Sequence, residues 1–197
     1  MKLDVVLAGV GGQGVLTAAA ILAEAGRREG LTVKQGEVHG MSQRGGAVIA
    51  NLRMADGPVA SDLIARGSAS MILSLEPVEA LRWLEFLASD GVVVTSSSPV
   101  KNVPDYPDLE EVLAALARLP RSVVVEADPL ARAAGSGHAN NVVVLGAASP
   151  HLPLAEETLR QCVVDFFTPR GQKLVDVNLR AFEAGLAASL GSGAAAV

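Results

Sequence analysis

The chain has 197 residues, enough for one domain with a full core. Half of its residues are hydrophobic, yet it holds one Trp, one Tyr and four Phe, so the core must be aliphatic. A net charge of −5, from 16 basic and 21 acidic side chains, argues against a nucleic-acid binder, which usually presents a basic face. The lone cysteine, Cys162, excludes an internal disulfide and any four-thiolate zinc or iron–sulfur site built by this chain alone.

No apolar run reaches the ~18–20 residues of a membrane span, and the N-terminal MKLDVVLAG does not read as a signal peptide. The expectation is a cytoplasmic protein in a reducing compartment.

Residues 3–8 read as a short buried strand stopped by glycine. Gly9, Gly11 and Gly14 follow in the spacing Gly-x-Gly-x-x-Gly, which joins a strand to a helix in dinucleotide-binding units. Residues 14–28 form a helix, apolar nearly all round, with Arg27 and Arg28 near its C-terminal end and Gly30 as its stop. Residues 31–37 form a second strand. This βαβ unit predicts parallel strands and a right-handed crossover.

EVHGMSQRGG (37–46) has neither period and reads as an ordered loop. Residues 47–54 are a strand and 55–58 a tight turn, which suggests local antiparallel pairing. A strand at 70–75 leads into a helix opened by Glu76-Pro77 and running to about Ala88, with Pro77 at its first position. A strand at 91–99 ends in serines. A helix follows over 108–119, then a strand over 122–127, with Asp128-Pro129 expected as N-cap and first helical residue. NNVVVLGAA (140–148) fits a strand or a buried helix. Residues 154–167 and 169–189 read as helices.

The expectation is therefore α/β: a three-layer α/β/α Rossmann-like domain, with a mostly parallel sheet that the turn at 55–58 allows to be mixed, and a helical C-terminal part. One domain spans residues 1–190, and 191–197 form a flexible tail.

The glycine loop lets backbone N–H groups approach an anion at a helix start. A tight strand–helix turn with no ligand explains the glycines as well. The NAD version also needs an acid at the end of the second strand. Glu37 lies about 23 residues beyond Gly14, near the ~20 expected, but Gly36 intervenes. Gly12 and Gln13 add a fourth glycine and an amide that suits a carbonyl, a phosphate or a neighbouring loop.

The loop at 39–46 gathers His39, Ser42, Gln43 and Arg44 with Gly40, Gly45 and Gly46. Arg44 suits a phosphate or carboxylate held by two parallel bonds, or a brace for the loop. His39 suits the same anion or a structural hydrogen bond. Both loops are expected at the carboxyl edge of adjacent parallel strands, where ligands bind.

Several weaker candidates remain. Ser96 to Ser98 fit a phosphate loop or a solvated one. Glu76 fits an edge acid or a helix start. Asn140 and Asn141 fit an edge amide or a cap. Cys162 fits the core, and His138 and His151 fit exposed loops.

GVGGQGVLTAAAILAEAG, EVHGMSQRGGAVIANLRM, SLEPVEALRWL, NVVVLGAA and VNLRAFEAG, in this order over about residues 3–187, resemble the γ-type subunit or domain of the 2-oxoacid:ferredoxin oxidoreductases. The His-Gly-Met-Ser-Gln-Arg-Gly-Gly form is most similar to the small, β subunit of the indolepyruvate-type enzymes. The resemblance implies a small subunit, inactive alone, in CoA-dependent oxidative decarboxylation of aryl 2-oxoacids with ferredoxin as acceptor. It implies a larger partner subunit carrying thiamine diphosphate, magnesium and [4Fe-4S] clusters, with coenzyme A as co-substrate and no cofactor held by this chain alone. By the same analogy Gly9, Gly11, Gly12, Gln13, Gly14, His39, Ser42, Gln43, Arg44, Gly45 and Gly46 line a shared site, with no catalytic residue and no metal ligand on this chain alone. The alternatives are a free-standing NAD(P)-dependent oxidoreductase and a nucleotide- or CoA-binding module. A homodimer of the isolated chain stays open.

Overall fold

The computed structural model describes residues 1–39, 45–101 and 104–193. Strand β1 (Lys2–Val10) leads through the glycine loop into α1 (Val15–Arg28), then β2 (Thr32–His39) and β3 (Ala47–Ala55). β4 (Ala69–Ser74), α2 (Pro77–Arg82), β5 (Leu87–Ser96), α3 (Leu109–Ala117) and β6 (Ser122–Val125) follow. The chain ends in α4 (Ala127–Ala134), α5 (Asn140–Ala148), α6 (Glu156–Phe167) and α7 (Gln172–Gly193). Helix α7 thus runs past residue 190, where the tail was expected to start.

The six strands form one mixed sheet in the order β2-β3-β1-β4-β5-β6. β1 runs parallel to β4, β4 to β5 and β5 to β6, whereas β3 is antiparallel to both β1 and β2. Alternate residues of β1 serve the two faces. Leu3, Val5 and Leu7 pack with α1, α5, α6 and α7, while Val6 packs with Ile49, Ile72 and Val93 beneath α2 and α3. A strand buried on both faces reads as a continuous apolar run, as β1 does.

The first two strands are parallel as expected, but they are not the adjacent strands expected. β1 and β2 point the same way, but β3 lies between them and pairs with both, from Lys2 opposite Ala55 to Val10 opposite Ala47 on one side. The burial pattern supplies the reason. None of Thr32 to Glu37 is buried, whereas Ile49 to Leu52 are. The polar strand takes the edge, and the apolar one takes the interior position beside β1. The mixed sheet thus arises from the β2–β3 hairpin and not from the turn at 55–58, after which no strand forms until Ala69.

Three further boundaries differ from expectation. Helix α2 stops at Arg82, and a 3-10 turn at Leu84–Phe86 leads straight into β5 at Leu87. Leu87 pairs with Ala69, and the register shifts before Met71 meets Val92. That irregularity brings the Ala69 carbonyl oxygen to 2.9 Å from where a Cβ on Gly91 would stand. Asp128 is not the cap of α4. Glu126 occupies that position, and Asp128 in the first turn accepts a 2.9 Å hydrogen bond from Asn140 Nδ2. Residues 168–170 form a 3-10 turn, and α7 starts only at Gln172.

The ambiguous 140–148 stretch is the helix α5, buried from Asn141 through Ala148. It lies between the sheet and α7. A Cβ on Gly146 would stand 2.0 Å from the Phe182 carbonyl oxygen, and one on Gly185 1.9 Å from that of Val143. Two glycines facing each other let the helix backbones touch, which explains an apolar helix with no polar face.

Candidate functional site

The loop between β1 and α1 is closed by a hydrogen bond from Gln13 N to the Val10 carbonyl, 3.0 Å. Its glycines serve different ends. A Cβ on Gly9 would lie 2.9 Å from Val15 Cγ2 and 3.0 Å from Gln13 Oε1, and one on Gly14 only 2.4 Å from Asn141 Nδ2. These two positions are small because neighbours occupy the space. Gly12, at φ +101°, would place a Cβ in open space. There the backbone conformation calls for glycine, and the residue is exposed.

Gln13 turns inward. Its Oε1 accepts from Val10 N at 2.7 Å, and its Nε2 donates to the Leu75 carbonyl at 2.9 Å. Of the partners its amide suits, the structure supplies the neighbouring loop: Gln13 clips the end of β1 to the end of β4. Asn141, at the start of α5, donates from Nδ2 to the Gly14 carbonyl at 3.3 Å and accepts at Oδ1 from Val142 N. One amide therefore positions the loop and also serves its own helix start.

The second glycine-rich stretch meets the first at the sheet edge. Gly11 N donates to the Gly46 carbonyl at 2.8 Å, and Gly45 N donates to the Gly11 carbonyl at 3.3 Å. The two loops do come together, but through β3 and not through adjacent parallel strands. His39 ends β2 opposite Val48. Its side chain, and Ser42, Gln43 and Arg44 with Gly40 and Met41, lie outside the described residues.

Two clefts flank Gly12. One, of about 380 Å³, is lined by Val10, Gly11, Val15, Leu16 and Val48 and is largely apolar. The other, of about 270 Å³, is half polar, with Ser136, His138, Asn141 and Arg170 facing Phe167 and Leu174. The Arg170 guanidinium stands over the rings of Phe166 and Phe167, at 4.8 and 5.6 Å. The N-cap of α1, Gly14, offers no side-chain acceptor to the first turn of the helix. Exposed backbone, an uncapped helix start and a nearby guanidinium suit an anionic group laid across Gly12.

The NAD reading finds no support in this geometry. Glu37 stands on the edge strand, exposed, and accepts a hydrogen bond from Gln35. With β3 interposed, the acid is two strand spacings from β1, roughly 10 Å, where a dinucleotide ribose needs it on the next strand.

The remaining candidates resolve as follows. Glu76 is the N-cap of α2, accepting from Glu79 N at 2.9 Å. It also receives hydrogen bonds from the Tyr106 hydroxyl and Val100 N. Ser96 is buried, and its hydroxyl accepts from Ser98 N, so it is no solvated loop serine. Cys162 is buried, and burial pushes its thiol pKa up, away from reactivity. His138 is exposed. His151 is half-buried beside Ser189 Oγ at 3.2 Å, and burial pushes its pKa down.

Sequence reasoning missed Glu79, Arg82 and Tyr106, which surround Glu76. The spacing Glu76-x-x-Glu79-x-x-Arg82 on one turn after another was a readable signal. Tyr106, 30 residues beyond Glu76, carried none.

The candidate site of this α/β domain is thus the sheet edge where two glycine-rich stretches are hydrogen-bonded together. The chain matches the family described as pyruvate ferredoxin/flavodoxin oxidoreductase over residues 4–188, and it belongs to that family. It is 41% identical to an indolepyruvate oxidoreductase subunit IorB of Thermococcus kodakarensis, over 94% of this chain and 95% of that one. The same-named subunit of Archaeoglobus fulgidus is 38% identical, over 94% of each. In fold it is similar to the γ subunit of a keto/oxoacid ferredoxin oxidoreductase from Geobacter sulfurreducens (TM-score 0.71, 22% identity, 96% and 99% covered). A 2-oxoglutarate:ferredoxin oxidoreductase from Magnetococcus marinus contains the same fold in a longer chain (TM-score 0.75, 20% identity, 96% of this chain, 31% of that one).

Proposed function

We propose that this chain is the small subunit of an indolepyruvate-type 2-oxoacid:ferredoxin oxidoreductase. Its two glycine-rich loops form one wall of a site completed by a larger subunit. The observation that carries this reading is the Gly11–Gly46 junction, in a chain that aligns nearly end to end with indolepyruvate oxidoreductase small subunits. The substrate is an aryl 2-oxoacid, the acyl acceptor coenzyme A and the electron acceptor ferredoxin, and the enzyme works in the cytoplasm.

Thiamine diphosphate with magnesium supplies the decarboxylation chemistry and [4Fe-4S] clusters the electron path, both on the larger subunit. A single buried cysteine does not fit a cluster site on this chain. Gly12 and its flanking clefts do fit the anionic end of an extended co-substrate such as coenzyme A. The open backbone at Gly12 admits close approach, the start of α1 favours negative charge, and Arg170 adds a donor fork. Gln13 and Asn141 hold that wall in place. The resemblance adds His39, Ser42, Gln43 and Arg44 to this proposed site, with Arg44 the group suited to an anion.

The test is to purify the chain alone and with its larger subunit, then assay 2-oxoacid-dependent reduction of a viologen dye. Activity is expected only in the mixture. Turnover by the chain alone, or micromolar binding of NADH to it, would overturn the reading. Arg44→Ala is expected to lower the activity of the complex at least tenfold while leaving the melting temperature of the isolated chain unchanged. Loss of folding would make Arg44 a brace instead.

A further inference from the structure

Of the two clefts that flank Gly12, the half-polar one reaches α7. Its volume of about 270 Å³ falls below the roughly 300–1,000 Å³ of pockets that enclose a whole ligand. It suits one end of a longer molecule. Thr17 lines this cleft and the apolar one alike. It stands in the first turn of α1, which Gly14 leaves without a side-chain cap. Its hydroxyl has no hydrogen-bond partner among the described residues. The first-turn N–H groups and this hydroxyl are donors with no acceptor of their own.

Arg170, in the turn between α6 and α7, adds a charged donor to the same cleft. It makes no hydrogen bond or ion pair with any described residue; its guanidinium rests only on the rings of Phe166 and Phe167. Stacking fixes the plane of the group and leaves its edge donors free. Asn178 is the opposite kind of group. It is 5% exposed, and its Nδ2 donates to the Leu174 carbonyl at 2.8 Å. Its Oδ1 accepts nothing from the described residues, although the residue lines the cleft. A buried amide as a rule has partners at both ends. An acceptor left open to a cleft calls for a donor from outside the chain. An ionised phosphate has none to give, whereas a sugar hydroxyl or a base amino group does.

We propose that this cleft receives the phosphorylated nucleoside end of the co-substrate. Arg170, the Thr17 hydroxyl and the start of α1 hold phosphate oxygens, and Asn178 Oδ1 accepts from the sugar or the base. The inference rests on the reading that coenzyme A is the co-substrate, and it goes further in seating the nucleoside here, against Thr17 and Asn178. Donors for an anion beside an acceptor for a neutral group distinguish a nucleotide from a bare phosphate. Phe167, Leu174 and Val177 offer the apolar surface that a base covers. Gly12 and Thr17, which this cleft shares with the apolar one, mark where the rest of the molecule leaves.

The test is equilibrium binding to the two-subunit complex by titration calorimetry, without turnover. The ligands are coenzyme A, adenosine 3′,5′-bisphosphate, inorganic pyrophosphate and pantetheine, which carries no phosphate. Arg170→Gln is expected to weaken coenzyme A and the bisphosphate about tenfold, and Thr17→Val about threefold. Neither should move pantetheine binding or the melting temperature of the isolated chain. Asn178→Leu is expected to weaken the bisphosphate and leave pyrophosphate unchanged. Coenzyme A should displace the bisphosphate. Wild-type affinity of both Arg170→Gln and Thr17→Val for the bisphosphate would overturn the proposal, while coenzyme A binding by the wild type would leave the co-substrate reading intact. So would a bisphosphate that binds no more tightly than pyrophosphate, or one that stays bound beside coenzyme A. A wild-type complex that binds no coenzyme A would overturn both.

Discussion

The two ends of β1 are built on opposite principles. At its start, Asp4 is 1% exposed, yet both carboxylate oxygens are held by Arg53, at 2.9 and 3.1 Å, with Lys2 at 2.9 Å. Arg53 then donates to the carbonyls of Ser61 and Leu63, so one guanidinium ties β1, β3 and the connection beyond β3 together. At its finish, the strand runs into glycines, an exposed residue at Gly12 and clefts on either side. One end holds a buried carboxylate among its partners. The other leaves backbone exposed, at the loop proposed to bind. A buried charge with its partners and a glycine with empty space around it mark these two roles on a single nine-residue strand.

Three substitutions bear on this contrast, from the largest expected effect to the smallest. Asp4→Asn leaves Arg53 without its carboxylate and is expected to destabilise the chain by about 3 kcal/mol in denaturant unfolding, with assembly unchanged once folded. The same group predicts a pH dependence. Burial pushes the Asp4 carboxyl up, but the hydrogen bonds and charges of Arg53 and Lys2 outweigh it and hold the pKa below the usual value. Its contribution is complete above the unfolded value, near ~4, and is lost as pH falls through the folded value. The gap in stability between wild type and Asp4→Asn should therefore narrow in acid. A gap constant down to pH 2 would break the assignment of the pair as the stabilising end.

Gly14→Ala sets a methyl against Asn141 Nδ2 at a φ of +88° and is expected to cost about 2 kcal/mol. It should also loosen the glycine loop, seen as weaker assembly with the larger subunit. Gly12→Ala meets no neighbour, so only its backbone conformation resists, by about 1 kcal/mol. Its effect should fall instead on the complex, as a raised KM for the proposed co-substrate, coenzyme A. A Gly12→Ala variant that lost stability but not function would erase the distinction between the two ends.

Much of this was written locally. The apolar run of β1, the basic end of α1 and Pro77 at the first position of α2 all rest on neighbours within a few residues. Each appears in the structure as the sequence implies. Asp108, expected as the first residue of the helix, is instead the cap of α3 and accepts from Glu110 N and Glu111 N. The pairing of strands was not legible in the same way. The polar alternation of VKQGE marks an edge strand, but nothing in it says that β3 takes the place beside β1. That choice is set by which strand gains more from burial on both faces. The glycine-rich segments stand out as a candidate site because they depart from helical and strand periods.

What the sequence alone determined is most of the elements, the glycine loop and, through the order of its motifs, the family. Period and turn chemistry act over a few residues and survive without knowledge of the fold. What only the tertiary structure decided is who faces whom. It turned Gln13 inward to Leu75, set Asn141 under Gly14 across 127 residues and made 140–148 a helix by laying Gly146 and Gly185 against facing backbones. It also gathered Glu76, Glu79 and Tyr106 around one cavity. Those contacts join residues far apart in the chain, and no local pattern can encode a partner that folding alone brings near.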